Sequence, residues 1–203
     1  MPITPPNKPV LAAFDFDGTL TYRDSFLLFL RSQLGYLRYI NGLSGLAWPA
    51  ARHLSRQMPR DDLKADLIRR FITGFSVADL GNMSDLFCQK HWSTLVRSNG
   101  IAEVQRQLKQ GATVTLCSAS PEPVLAPFAK RLGVNLIATQ LEEINGVLTG
   151  AIQGKNCRQA EKVTRLTATY GDLKNYHLRA WGDTGGDKQM LEAADEPYYR
   201  WFN

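Results

Sequence analysis

The chain has 203 residues, of which 44% are hydrophobic and 21% charged, and its net charge at pH 7 is +5. These proportions are ordinary for a soluble globular protein, and the length suits one domain or a core domain with an inserted subdomain. No window of 18 residues is apolar and free of charge, which argues against a membrane-spanning helix. The start, MPITPPNKP, has no apolar core, so we expect no signal peptide. The three cysteines form no close pair in the sequence, which predicts reduced thiols in a cytoplasmic protein.

The positive charge is confined to residues 22–60, which hold six arginines and a single acid, Asp24. The remaining chain is balanced, with 18 basic and 18 acidic residues. Because the charge belongs to one local element, we predict no nucleic-acid partner and look for the role of that element instead. The arginines are Arg23, Arg31, Arg38, Arg52, Arg56 and Arg60.

The first predicted element is a strand, VLAAFDFD (10–17), a short apolar run closed by turn residues as in a central parallel strand. FLLFLRSQLGYLRYI then shows apolar positions at helical spacing, and further helical stretches follow around 61–74 and 76–97. This block contains no strand pattern of any length. The sequence therefore predicts an all-helical insertion after the first strand.

Beyond residue 100, predicted strands alternate with predicted helices, and Asn145-Gly146 is a hairpin signal. This alternation predicts an α/β fold with a Rossmann-like parallel sheet covered on both sides. We assign residues 1–21 and 98–203 to the core and 22–97 to a small helical cap. The predicted strands are 112–120, 134–140, 176–183 and 197–202, and the predicted helices are 100–111, 121–133, 158–171 and 187–195.

Polar side chains stand where three of these strands end, and the ends of parallel strands meet at one edge of a sheet. Clustered carboxylates repel one another unless a hard cation lies between them, and oxygen ligands suit Mg²⁺. Amides at the start of the helix after the second strand would bind phosphate oxygens. The pattern therefore predicts a magnesium site that handles a phosphoryl group. The polar residues are Asp15 and Asp17, Ser118 and Ser120, Asp183 and then Asp187.

Four segments, in chain order, resemble the motifs of haloacid dehalogenase superfamily phosphatases. The branch in question includes phosphoserine phosphatases and the phosphatidylglycerophosphatase C-like proteins, and the helical block is similar to its small cap. A single D-x-D occurs by chance, but four motifs in order, each at the expected strand end, are a specific match. The segments are DFDGTLT (15–21), CSAS (117–120), the E-K pair of NCRQAEK (156–162) and GDTGGDKQML (182–191).

The resemblance implies that Asp15 is the nucleophile, forming an aspartyl-phosphate, and that Asp17 is the general acid and then the base. Lys162 would offset charge on the nucleophile and the phosphate, with Lys155 as the alternative lysine; we favour Lys162 for its place in a predicted helix start. Mg²⁺ would be held by Asp15, by the backbone carbonyl of Asp17 and by Asp183. Asp187 would either bind the ion through a water molecule or contact the residues that bind it directly.

For the phosphate, the resemblance implies binding by Ser118 and by the exposed amide at Ala119, with Gly18 allowing a tight turn beside the ligand. The structural alternative is that Ser118 and Ser120 merely cap the following helix. The fourth motif departs from the common GDS or GDG followed by an N-D pair, but Thr184 keeps a hydroxyl. We therefore expect this departure to be neutral.

Two acids have a structural alternative of their own. Asp187 can be a helix N-cap with no role at the metal. Asp24 begins DSFLLFL and is a good helix N-cap, yet in phosphoserine phosphatases an acid at a similar offset contacts the substrate amine. Asp24 is therefore a candidate for substrate binding as well as a cap.

The predicted function is that of a Mg²⁺-dependent phosphomonoester hydrolase acting on a phosphorylated small molecule, as in phosphoserine phosphatases, or on a lipid head group. The apolar and arginine-rich start of the cap has the composition of an interfacial element, so one hypothesis is a lipid phosphate bound in peripheral contact with a membrane. The alternative is that the cap packs on the core and its arginines attract a soluble substrate. A phosphoryl transferase, a dehalogenase and a silent binding module are the competing functions.

Overall fold

The computed structural model of the chain describes residues 8–35, 40 and 60–202. Five parallel strands form the central sheet, and a separate pair of strands forms an antiparallel hairpin. In chain order the elements are β1 (Val10–Phe14), α1 (Ser25–Gln33), α2 (Arg60–Ile72), α3 (Val77–Leu95), α4 (Ser98–Lys109), β2 (Thr113–Pro121), α5 (Glu122–Leu132), β3 (Asn135–Thr139), β4 (Leu141–Ile144), β5 (Val147–Ile152), α6 (Ala160–Tyr170), β6 (His177–Gly182), α7 (Lys188–Glu192) and β7 (Glu196–Tyr199).

The sheet has the strand order β3-β2-β1-β6-β7, with every neighbouring pair parallel, so the predicted α/β fold class is confirmed. The central strand β1 is apolar throughout because helices cover both of its faces. Phe14 lies opposite Leu116 of β2 and Trp181 of β6. The carboxyl ends of these three strands therefore meet at one edge of the sheet.

Alternate residues of β1 face two separate hydrophobic clusters. Ala12 and Phe14 belong to the larger cluster, while Leu11 and Ala13 belong to the smaller one. Phe14 stacks on Trp181 with ring centroids 4.1 Å apart, so aromatic contact continues across strands on the larger face. Both sides of the sheet are therefore packed.

The predicted first strand is shorter than expected. It ends at Phe14, and Phe16–Leu20 form a wide turn closed by a hydrogen bond from the Thr21 amide to the Phe16 carbonyl at 3.1 Å. Gly18 adopts a φ of +83° in this turn, a conformation that favours glycine. The turn carries Asp15 and Asp17 away from the strand and towards the edge of the sheet.

The chain leaves the sheet after this turn and returns through a short paired neck. Thr21 and Val96 form an isolated antiparallel bridge, and the Arg97 amide donates to the Leu20 carbonyl at 2.8 Å. Between these points the described elements are the helices α1, α2 and α3, as predicted for the insertion. The division into a core and a cap at residues 22–97 stays a prediction.

The insertion does not stand alone beside the sheet, because the β4–β5 hairpin joins it. The hairpin turns at Asn145 and Gly146, with φ of 52° and 78°, as the sequence predicts. The Gly74 amide donates to the Leu148 carbonyl at 2.9 Å, and the Val77 amide donates to the Gly146 carbonyl at 2.9 Å. A hairpin from the later half of the chain is thus fixed to the loop between α2 and α3.

Much of the arginine-rich segment lies outside the described residues, which omit 36–39 and 41–59. Arg38, Arg52 and Arg56 fall there, and with them most of the predicted interfacial element. Arg31 is exposed on α1. In the part of the chain that the structure describes, no helix is both long and apolar enough to cross a membrane.

The larger hydrophobic cluster includes side chains of the insertion and of α5, which covers the sheet. Phe128 of α5 lies at the centre of this contact. Its ring is 5.2 Å from that of Phe16, 5.8 Å from Phe87 and 6.1 Å from Trp92. Aromatic pairs at such distances stabilise packing beyond the area that they bury.

Gly150→Ala is expected to destabilise the contact between the hairpin and α2. Gly150 has a φ of +83°, and a Cβ there would lie 2.0 Å from Thr73 Oγ1 and 3.0 Å from the Arg69 Cα. The strained φ costs about 1 kcal/mol and overpacking against backbone adds about 1–3 kcal/mol. Urea denaturation measures the loss. Gly154→Ala is the matched control, because its φ is +77° but no atom lies within 4 Å of the new Cβ; equal losses in the two variants would contradict the close contact.

Candidate active site

The polar residues predicted at the strand ends surround one cleft of about 370 Å³. Its floor is formed at the ends of β1 and β2 and at the loop after β6, and α1 and α2 supply the opposite wall. Gly18 and Asp183 lie beside the cleft, where they line a small neighbouring void. The predicted site residues that line the cleft itself are Asp15, Asp17, Asp24, Ser118, Ala119, Lys162 and Asp187.

Lys162 joins two of the acids. Its side chain is 1% exposed, and Nζ donates to Asp15 Oδ1 and to Asp187 Oδ1, each at 2.6 Å. Burial opposes the charge of Lys162, but Asp15 and Asp187 outweigh it and raise its pKa. The lysine is therefore a fixed positive charge. Lys155 is exposed and lines a different surface groove, so Lys162 is the lysine in the cleft.

Three acids can offer oxygen atoms to one ion. Ligand atoms of Asp15, Asp183 and Asp187 lie within 4.8 Å of one another. The Thr19 hydroxyl lies between two of them, 3.2 Å from Asp15 Oδ2 and 3.2 Å from Asp183 Oδ1. A Cβ on Gly18 would lie 2.4 Å from Asp183 Oδ2, so glycine is needed for this approach.

The cluster has more negative charge than Lys162 offsets. Burial raises the pKa of Asp15 to about 8 against the attraction of Lys162, and repulsion from Asp187 adds to the rise. Burial and then repulsion from Asp187 also raise the pKa of Asp183. In both acids burial and repulsion between the carboxylates outweigh the attraction of Lys162. Hard oxygen donors gathered in this way fit a hard divalent cation such as Mg²⁺.

Asp187 is held by the protein through both of its carboxylate oxygens. Oδ1 accepts from Lys162, and Oδ2 accepts from the Thr184 amide and hydroxyl, each at 3.0 Å. Burial opposes its charge, but Lys162 and then Thr184 prevail and lower the pKa of Asp187. Asp187 does occupy the N-cap position of α7, but its side chain makes no capping bond. The Thr184 hydroxyl therefore helps to hold the Asp187 carboxylate in place.

Asp17 points away from this cluster and towards the insertion. Its Oδ1 accepts from the Ser25 amide at the start of α1 at 2.7 Å, and its Oδ2 accepts from the Ser120 hydroxyl at 2.5 Å. Lys64 of α2 donates to the same hydroxyl at 3.3 Å. The sequence predicts Ser120 among the polar strand ends but gives it no individual role, and it does not predict Lys64 as a site residue. The position of Ser120 in CSAS was a signal, whereas nothing in the sequence pointed to Lys64.

The end of β2 carries two serines, and neither acts as a helix cap. The Ser118 hydroxyl is buried and accepts from the Ser120 amide at 3.1 Å. Helix α5 follows with Pro121 at its N-cap position and no side-chain cap. Neither serine therefore caps α5. Ser118 and Ala119 line the cleft, and the Ser120 hydroxyl donates to Asp17, which lines it too.

Asp24 is confirmed as the N-cap of α1, and its predicted contact with substrate stays a prediction. Its Oδ1 accepts from the Leu27 amide at 2.8 Å and caps α1, and the residue also lines the cleft. The side chain is exposed at the mouth, where partial loss of hydration and then repulsion from Asp17 raise its pKa. The capping bond uses only one oxygen of Asp24, Oδ1, and the residue lies beside the space that a bound molecule would occupy.

Comparison with known proteins places this geometry in a family. A family profile described as haloacid dehalogenase-like hydrolase matches residues 12–192. Protein CicA of Caulobacter vibrioides is 39% identical over 199 residues, covering 97% of this chain and 88% of the relative. The phosphoserine phosphatase SerB1 of Mycobacterium tuberculosis is 28% identical over 193 residues, covering 89% of this chain and 61% of the relative.

A solved structure has the same fold, that of a protein with unknown function from Bordetella pertussis Tohama I. Its TM-score is 0.80 at 23% identity, with 94% of this chain and 89% of that chain covered. These comparisons confirm the predicted family and show that the chain is an enzyme of the hydrolase class. Since the matched residues include all four motifs and CicA aligns along nearly the whole sequence, this chain belongs to the haloacid dehalogenase-like hydrolase family.

Proposed function

We propose that this protein hydrolyses phosphomonoesters in a Mg²⁺-dependent reaction through an aspartyl-phosphate, an acyl phosphate formed on Asp15. The observation that carries the proposal is the buried Lys162 between Asp15 and Asp187, with Asp183 within ligand distance of both acids. A nucleophilic carboxylate beside a fixed cation suits attack on an anionic phosphoryl group. The name of the phosphatase relative supports the same reaction class.

The proposed metal ligands are the carboxylates of Asp15 and Asp183 and the backbone carbonyl of Asp17. Asp187 would act from behind these ligands, because Lys162 and Thr184 occupy its oxygens. Bound Mg²⁺ would offset the charge of the carboxylates and of the phosphate as they approach. The oxygen-only donor set and the raised pKa values of Asp15 and Asp183 support this assignment.

In the proposed first step, an Asp15 oxygen forms a bond to phosphorus while the bond to the leaving-group oxygen breaks. Asp17 gives its proton to that oxygen. In the second step Asp17 takes a proton from water, whose oxygen bonds to phosphorus as the bond between phosphorus and the Asp15 oxygen breaks. Free phosphate leaves and both carboxyl groups return to their starting states. The contacts of Asp17 with Ser25 and Ser120 support a fixed position at the leaving-group side.

The remaining residues would bind and orient the phosphoryl group. Ser118 and the amide at Ala119 would donate hydrogen bonds to its oxygens, and Lys162 would offset the charge that develops on them. Gly18 keeps the turn close to Asp183. We further propose that residues 1–21 and 98–203 carry out the reaction, whereas 22–97 form the cap that selects the leaving group.

Removal of the metal is expected to abolish activity. Hydrolysis of p-nitrophenyl phosphate should stop with EDTA and return with added Mg²⁺. Asp183→Asn should raise the Mg²⁺ concentration for half-maximal rate by about tenfold or more, as for loss of a residue at the metal. Glu192→Gln is the control, since Glu192 is an exposed acid on α7. Activity that persists in EDTA, or an unchanged Mg²⁺ requirement in Asp183→Asn, would contradict the proposed metal site.

For the substrate, we propose a small phosphorylated molecule whose polar groups face Asp24 and Lys64. Both residues line the cleft on the side of the insertion, and their opposite charges suit a leaving group with an amine and an acid. The relative named phosphoserine phosphatase supports this class. A panel of phosphorylated metabolites, assayed for phosphate release, tests it.

A lipid phosphate is the second candidate, because part of the cleft wall is apolar. Four apolar side chains from α1 and α2 line it on the side of the insertion. Such a wall suits a hydrocarbon portion of the leaving group. Liposome flotation at low salt, with wild type and an Arg31→Gln variant, tests membrane contact, and absence of flotation removes this candidate. The apolar residues are Phe26, Leu27, Leu63 and Leu67.

A further inference from the structure

Arg158 is a positively charged residue in the cleft, and it has no role in the proposed mechanism. It lies four residues before Lys162, just ahead of α6, and is half-buried among the lining residues. Among the residues that the structure describes, its guanidinium has no hydrogen-bond or ion-pair partner. The other cleft cations are engaged: Lys162 contacts two carboxylates, and Lys64 donates to the Ser120 hydroxyl.

The absence of a partner is notable because four acids line the same cleft. Asp15 and Asp187 are bonded to Lys162, Asp17 to the insertion and to Ser120, and Asp24 to the start of α1. Each carboxylate thus has a partner other than Arg158. A guanidinium that stays unpaired beside so many acids is available to an anion from solution.

The position of Arg158 is fixed by its backbone and by a glycine. The Arg158 amide donates to the Asn156 carbonyl at 2.7 Å, and the next amide, that of Gln159, donates to the Gly186 carbonyl at 2.7 Å. A Cβ on Gly186 would lie 3.0 Å from Arg158 Nε and 3.1 Å from Thr184 Oγ1. The arginine therefore rests against the loop that carries Thr184, on the catalytic side of the cleft.

We propose that Arg158 binds an anionic oxygen group of the substrate, an inference that rests on the proposed phosphatase function. A guanidinium offers two parallel N–H donors, which match the oxygens of a phosphate or a carboxylate. The group has two sources: the phosphoryl group that is transferred, or a second anionic group on the leaving group. Arg158 would then contribute to substrate selection alongside the residues to which the proposed mechanism already gives a role.

Two aryl phosphates separate the sources. p-Nitrophenyl phosphate has no anionic group besides its phosphate, whereas carboxyphenyl phosphate adds a carboxylate to the leaving group. With saturating Mg²⁺, Arg158→Gln is expected to raise the KM for carboxyphenyl phosphate roughly tenfold or more, as for loss of a charge-assisted hydrogen bond, with a smaller change in kcat. The KM for p-nitrophenyl phosphate should rise as well only if Arg158 contacts the transferred phosphoryl group. Arg158→Lys, which keeps the charge but loses the paired donors, should lie between wild type and Arg158→Gln.

Binding of inorganic phosphate, followed by calorimetry in an Asp15→Asn background, gives a readout that does not need turnover. Weaker phosphate binding in Arg158→Gln, with both KM values raised, assigns the contact to the transferred group. Unchanged phosphate binding, with KM raised only for carboxyphenyl phosphate, assigns it to the leaving group. Either result supports the proposal.

Lys155→Gln is the matched control, because it removes a positive charge from the same stretch at an exposed position outside the cleft. It should leave both KM values within about twofold of wild type. The same outcome for Arg158→Gln, with phosphate binding unchanged, would overturn the role of Arg158. Absence of hydrolysis in wild type would instead contradict the phosphatase function, and the phosphate-binding comparison would still report on Arg158.

Discussion

Replacement of Asp15 by Asn is expected to lower kcat for p-nitrophenyl phosphate by about 1,000-fold or more, the scale seen when a nucleophile is removed. The amide of Asn has almost the shape of the carboxylate but does not attack phosphorus. Lys162 keeps Asp187 as a partner at 2.6 Å, so the variant should fold. Steady-state rates and trapping of the phosphoenzyme by acid quench measure the effect.

Asp17→Asn provides the contrast, because it removes the proton donor and base but keeps the nucleophile. With an aryl phosphate, whose leaving group needs little protonation, this variant should still form the phosphoenzyme and hydrolyse it slowly. Asp15→Asn should form none. If Asp15→Asn retained a rate within tenfold of wild type, or yielded a trapped phosphoenzyme, another residue would be the nucleophile.

Lys162→Met is expected to lower the free energy of unfolding by about 3–5 kcal/mol, because it leaves two buried carboxylates without their cation. Asp15 is 6% exposed and Asp187 is 1% exposed, so water does little to replace Lys162. Activity should fall as well, since the charge beside the nucleophile is lost. Urea denaturation with EDTA present measures stability without any contribution from metal.

Two further variants test whether the stability loss in Lys162→Met comes from the buried ion pairs. Lys162→Met combined with Asp187→Asn should recover part of the lost stability, because one of the two uncompensated charges is removed. Lys188→Met, at an exposed position on α7, should change stability by no more than about 0.5 kcal/mol. A loss for Lys162→Met as small as that for Lys188→Met would show that the buried pairs contribute little.

The sequence predicted the strands well because buried parallel strands are short apolar runs with distinct ends. β2 and β6 lie within about a residue of their predicted bounds, and the hairpin turns at Asn145 and Gly146. The gathering of the polar strand ends follows from parallel pairing alone, so it was predictable too. β1 was predicted too long, because the turn after Phe14 contains Phe16, which continues the apolar pattern without being part of the strand.

Contacts between distant segments were beyond sequence reasoning. Ser120 and Lys64 meet across 56 positions, and the hairpin joins the insertion through backbone hydrogen bonds that no side-chain pattern encodes. The thiols of Cys117 and Cys157 lie 4.0 Å apart, although the sequence shows no close pair. The free guanidinium of Arg158 could not be recognised either, because only the structure shows which cations have partners.

The hydrophobic cluster shared by the insertion and α5 limits how the enzyme opens. If the insertion rotated away from the core as a rigid body about the neck at Thr21 and Val96, the rings of Phe87 and Trp92 would separate from Phe128 and become exposed to solvent. That hydration is costly at about 25 cal/mol for each Å² of apolar surface. We therefore expect substrates to enter the cleft through the entrance beside Asp24 without a large hinge movement of the insertion. The width of this entrance would then limit the size of the substrate.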